Sequence, residues 1–176
     1  MFKTGIGIAM RPFVKGRQLI LGGAKIDHPM GLEGNSYADV LCYAIIDALL
    51  GASNLGEMNE LFPEDDIKYK DISGLRLLEL VNLKLARISF AIENIDVILA
   101  CSEIDLAPYK TYMLLNLSHA LKIDSSMISL KQSGSFFHLV PEFKKGISAF
   151  AVCTIIDMSE PEEEEEESSS EEEYYE

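Results

Sequence analysis

Residues 16–58 read GRQLILGGAKIDHPMGLEGNSYADVLCYAIIDALLGASNLGEM, and a change of hydrophobic period within them decides the fold class. Residues 18–21 are strand-like, with Leu19, Ile20 and Leu21 in an apolar run. From about residue 36 to residue 50 the apolar positions move to helical spacing. Ala38, Leu41, Ala44, Ile45, Ala48 and Leu49 then share one stripe before Gly51.

The same alternation continues on both sides. Residues 3–9, 94–100, 127–131 and 146–156 read as further strands. A second helix starts at Ser73, a suitable N-cap, and places Leu75, Leu78, Val81 and Leu85 at helical spacing. A third begins near Pro108, whose fixed φ suits a first turn, and runs through Met113, Leu117 and Leu121. Strands and helices in this order predict an α/β (α+β sandwich) fold with helices on the sheet. The last strand is apolar on both faces. Ile147, Ala149, Ala151, Cys153 and Ile155 alternate with Ser148, Phe150, Val152, Thr154 and Ile156. Helices on one side of a sheet leave the other face polar, so this pattern asks for a second cover, such as a neighbouring subunit.

A chain of 176 residues suits one domain with a sizeable core, and 48% of it is hydrophobic. No apolar run reaches the roughly 18 residues that span a bilayer. The opening MFKTGIGIAMRPF is too short and too glycine-broken for a secretory signal. The expectation is a cytoplasmic protein without a membrane span. Cys42, Cys101 and Cys153 are odd in number and form no CxxC pair, so they read as buried reduced thiols. His28, His119 and His138 show no metal-ligand spacing among themselves. Twelve of the 29 acidic residues lie between Asp157 and Glu176, leaving 17 against 15 basic residues in the body. The body has no basic stripe for nucleic acid. The division expected is a folded domain over 1–156 and a disordered acidic tail over 157–176, the tail being a possible ligand for a basic protein partner.

Together with LFPEDDIKYKDIS (61–73), NIDV (94–97), ISLK (128–131) and GISAFAV (146–152), the stretch quoted first resembles the 2-C-methyl-D-erythritol 2,4-cyclodiphosphate synthase family of non-mevalonate isoprenoid synthesis, over essentially 3–156. The resemblance implies a mixed four-stranded sheet with helices on one face plus a small hairpin, in a homotrimer with active sites between adjacent subunits. It also implies a zinc ion, held by an aspartate and a histidine on the first strand and a histidine on the first helix. Those positions are Ala9, Arg11 and Tyr43 here. Alanine has no donor atom, arginine stays protonated, and a phenol ionises only near pH ~10. Counting from the shared Lys131, the segment that carries the family's T-T-T-E reads Gln132, Ser133, Gly134, Ser135 and then Phe136, where its magnesium-binding glutamate belongs.

Other implied contacts are mixed. The family's histidine-serine pair is Asn35 and Ser36, and its proline-lysine pair aligns with Ile104 and Asp105. An acidic residue that meets substrate hydroxyls is kept as Glu57, and Asp39 and Asp47 remain on the first helix. An isoprenoid diphosphate clamp found in some members corresponds to Val140 and Phe143, beside Lys144 and Lys145. The ligand-binding residues implied for this chain are therefore Asn35, Ser36, Glu57, Ser133 and Ser135, with no metal and no cofactor. These replacements lead to the expectation of a catalytically inactive trimeric structural or interaction subunit. The alternatives are a 2-C-methyl-D-erythritol 2,4-cyclodiphosphate synthase, or a small-molecule module with Tyr37, Tyr43, Phe136 and Phe137 in an altered cleft.

Overall fold

The computed structural model of the chain describes residues 1–34, 38–63, 65–133 and 145–159. Strands β1 (Phe2–Lys15), β2 (Leu19–Leu21), β3 (Ala24–Ile26) and β4 (Met30–Leu32) precede helices α1 (Val40–Ser53), α2 (Met58–Leu61) and α3 (Gly74–Arg87). Then come β5 (Phe90–Ala100), α4 (Lys110–Leu121), β6 (Ile128–Ser133) and β7 (Gly146–Asp157). The main sheet has the order β4-β1-β7-β5-β6, and β2 and β3 form a separate hairpin. Among the described residues only β5 and β6 run parallel, joined through α4, so the sheet is mixed.

The described sheet has five strands, where the sequence reading expects four. The fifth is β4, three residues long and too short to show a period. It exists because β1 runs past residue 9. At Pro12, opposite Gly146, β1 leaves β7, and from Phe13 it pairs with β4. The Pro12 carbonyl still accepts from the Glu33 N–H at 2.9 Å. Proline within a strand pattern argues for an ending, and here it marks a change of partner instead.

Helix α1 lies close on β1 because glycines face it. A Cβ on Gly5 would stand 2.0 Å from the Ala48 carbonyl oxygen, and one on Gly7 would stand 2.0 Å from that of Ala44. The odd-numbered residues of β1 therefore point toward α1, and Ile6, Ile8 and Met10 point away. Asp39 caps α1, accepting from the Cys42 N–H at 3.2 Å and from the Gly22 and Gly23 N–H groups at 2.9 Å each. One carboxylate thus fastens the β2–β3 turn to the start of α1. It is 1% exposed, in contrast to the surface position its place near a helix start implies. Ser73 caps α3 as read, accepting from the Arg76 N–H at 3.2 Å. In β7, the face toward the helices (Ile147, Ala149, Ala151, Cys153, Ile155) is fully buried. On the opposite face of the sheet Ile6 is 66%, Ile8 53% and Val152 42% exposed.

Candidate active site

The sheet registers bring the family-like positions to one end of the sheet. Arg11 pairs with Ile147, Ala100 with Ser148, and Ser133 with Ala100. The row runs across β1, β7, β5 and β6. At about 4.8 Å between strands, Arg11 and Ser133 stand roughly 14 Å apart.

At the β1 end, Gly5 lies against Ala48 and Ala52, and Gly7 against Ala44 and Asp47. Continuing that progression by one helical turn sets Ala9 against the turn that carries Tyr43. Both are half-buried and pack against the core. Arg11 donates from Nη1 to the Met10 carbonyl at 3.2 Å and passes beside Gly34. With Asn59, Pro63 and Asp65 it lines a hollow of about 390 Å³. Asp47 is exposed and accepts from the Ile8 N–H at 3.3 Å, tying helix to strand. Glu57 is exposed before α2, where its N–H donates to the Glu60 carboxylate at 3.1 Å.

The metal that the resemblance implies does not fit these residues. Ala9, Arg11 and Tyr43 offer no oxygen, nitrogen or sulfur that is a good zinc ligand at neutral pH. Among the described residues no three His, Cys, Asp or Glu side chains come together as a metal site.

At the β6 end lies a cavity of about 190 Å³ between β5, β6 and α4. Leu99, Leu106, Met113 and Leu130 form its walls, each under 5% exposed. Lys110, Lys131 and Gln132 bring polar groups to it. Lys131 pairs with Asp96 at 2.6 Å and holds that carboxyl below the ordinary range. Both partners are exposed, so the pair is worth at most about 1 kcal/mol. Asp105, aligned with a diphosphate-facing lysine, instead accepts from the Ala107 N–H at 3.0 Å and closes the turn before α4. The Gln132 amide donates to the carbonyls of Cys101 (2.9 Å) and Ile104 (2.7 Å) and accepts from the Leu106 N–H (3.0 Å).

Of the implied ligand-binding residues, Glu57 and the half-buried Ser133 are described and lie on separate elements. Asn35, Ser36 and Ser135 lie outside the described residues, as do Tyr37, Phe136, Phe137, Val140, Phe143 and Lys144. Sequence reading passed over Lys110 and the contacts of Gln132. The alternation Ile128, Leu130, Gln132 carries a signal for the second, since a polar residue on an inward face needs a partner.

The sequence matches the YgbB family over residues 2–156. The chain belongs to the YgbB family. Proteins named 2-C-methyl-D-erythritol 2,4-cyclodiphosphate synthase from Desulforamulus reducens and Desulfitobacterium hafniense are 39% and 41% identical to it. The matches cover 87% and 89% of this chain and 98% and 99% of those relatives. Among solved structures, the bifunctional IspDF from Campylobacter jejuni superposes with a TM-score of 0.81 at 30% identity. That match covers 91% of this chain and 44% of the longer protein. A CDP-bound form of 2C-methyl-D-erythritol-2,4-cyclodiphosphate synthase gives a TM-score of 0.78 at 24% identity, over 88% of this chain and 100% of that one, a likeness of fold.

These relatives correct the expectation of a catalytically inactive subunit. Identity near 40% over almost the whole body, to proteins named as synthases, favours the synthase reading. The physical reason for the error is that a missing ligand set removes one means of neutralising phosphate charge and leaves others. A guanidinium such as that of Arg11 is a permanent cation with phosphate-matching donors.

Proposed function

We propose that the chain is a 2-C-methyl-D-erythritol 2,4-cyclodiphosphate synthase, closing CDP-methylerythritol 2-phosphate to the cyclic diphosphate with release of CMP. The observation that carries this reading is 41% identity across 89% of the chain to a relative so named. In the reaction the 2-phosphate oxygen forms a bond to the nearer phosphorus of the diphosphate, and the bond from that phosphorus to the CMP oxygen breaks. The barrier is dominated by repulsion between anionic phosphates, so the protein's work is positioning and placing positive charge. Arg11 at one end of the row, and Lys110 at the cavity beside α4, supply that charge without a metal-dependent step.

The two ends of the row are too far apart to serve one small substrate within a single chain. We assign the complete site to the junction of neighbouring subunits of a homotrimer. Support comes from the apolar outer face of β1 and β7, where Ile6, Ile8 and Val152 lie uncovered. We further assign the folded body to residues 1–156 and a cytoplasmic setting, and we assign the acidic run from Asp157 onward to attraction for a basic protein surface. No described helix is long and apolar enough to cross a membrane. Deleting residues 158–176 should remove salt-sensitive partners from a pull-down; a truncated chain that keeps them all contradicts the last assignment.

The activity is tested by incubating the full chain with CDP-methylerythritol 2-phosphate and following 31P signals, with magnesium, manganese or zinc supplied in turn and with a chelator. Cyclic diphosphate and CMP formed above the protein-free control are expected. Absence of product under every condition overturns the reading.

A further inference from the structure

We propose that Gln132 is a built-in competitor for a nucleobase amino edge, its amide filling a three-point backbone array suited to the amino group and ring N3 of cytosine. The inference rests on the synthase reading only for the identity of the base. The array is on the loop between β5 and α4. The carbonyls of Cys101 and Ile104 each take one N–H of the Gln132 amide, and the Leu106 N–H meets its oxygen. Every hydrogen-bonding position of the amide facing the loop is used, and the opposite orientation would set its oxygen against two carbonyls.

Cytosine presents the same pattern. Its C4 amino group has two hydrogens, and the adjacent N3 is an acceptor, as the nitrogen and oxygen of an amide are placed. Uracil presents the reverse, with O4 toward the carbonyls and N3–H toward the Leu106 N–H. The array therefore discriminates between two bases of equal size. Leu99, Leu106, Met113 and Leu130 supply apolar cover for a ring, and Lys110 supplies a cation for an attached phosphate.

Base and glutamine cannot hold the array together. If the amide occupies it nine-tenths of the time, the apparent affinity for the base falls about ten-fold. Removing the amide should return that factor for cytosine alone. A side chain that only braced the loop predicts the opposite, since its loss would loosen the array.

The test is calorimetric titration of the full chain, wild type and Gln132→Ala, with cytidine 5′-diphosphate and uridine 5′-diphosphate. The expected result is roughly ten-fold tighter binding of the cytidine nucleotide by the variant, with the uridine nucleotide unchanged. Unchanged, weaker or undetectable cytidine binding by a folded variant overturns the proposal, and so does equal tightening of both nucleotides. If the variant does not fold, the wild-type Gln132 side-chain amide signals decide in 1H–15N spectra. Their movement toward free-glutamine positions as cytidine 5′-diphosphate saturates supports displacement. Signals that stay in place, or no binding at all, overturn it. Turnover by the wild type without tightening in the variant sinks this proposal alone, and tightening without turnover sinks the synthase reading alone.

Discussion

Asp39 joins two elements through three hydrogen bonds, and without its carboxylate the N–H groups of Gly22, Gly23 and Cys42 lose their acceptors. An unsatisfied buried group costs about 1–3 kcal/mol, and water entering the space offsets part of the total. Asp39→Ala should therefore lower stability by about 3 kcal/mol, read as a shift in the urea midpoint. The cysteines behave in the opposite sense to a functional thiol. Burial pushes Cys153 up to about 12 and raises Cys42 and Cys101 as well. The native protein should resist a thiol-labelling disulfide at pH 8 and expose three reactive thiols in guanidinium. A folded-state pKa raised in this way leaves stability intact below the ordinary thiol range, and stability is lost as pH climbs toward 12. At Ala9, Arg11 and Tyr43 the donor chemistry predicts no stoichiometric zinc in the purified chain. The combined change Ala9→Asp, Arg11→His and Tyr43→His should introduce zinc uptake, measured by elemental analysis; about one zinc per wild-type chain would be the contrary result.

Between elements, the closest packing is α1 on β1. Gly7→Ala places a methyl group 2.0 Å from a helix carbonyl, and a backbone atom cannot rotate aside. The helix must lift from the sheet, so the loss should reach the upper part of the roughly 1–3 kcal/mol typical of overpacking. Thermal unfolding checks this, with the exposed Gly16→Ala as a milder comparison. Helix α1 also shows the limits of reading ends from sequence. Gly51 looks like a stop, yet the helix continues to Ser53 and closes on Asn54 in a left-handed conformation. Ser73 is legible because its cap bond is local. Pro108 lies in a 3-10 turn at Ala107–Tyr109, one step ahead of α4, where the expected start falls.

For the whole molecule, the apolar outer face of the sheet is the feature that a single chain leaves unexplained. Ile8 is 53% exposed, so a charge there costs the isolated fold little. In the proposed trimer the same residue would be covered. Ile8→Lys should accordingly dissociate the assembly with little change in secondary structure, as followed by sedimentation velocity and circular dichroism. A wild-type monomer at micromolar concentration would overturn the assembly.

Periodicity and local chemistry carried the fold class, the helical stripes and the Ser73 cap, because each depends on residues within one or two turns of each other. The residues missing from the family's metal positions were equally legible, because a side chain's donor atoms belong to its identity. Tertiary structure alone decided the rest. Strand β4 pairs only because β1 changes partner at Pro12, and Asp39 is buried because a turn sixteen residues earlier folds onto it. Gln132 meets a loop some thirty residues away because β5 and β6 run parallel in one register. Such contacts depend on register and strand order, which set distances that no local pattern in the chain contains.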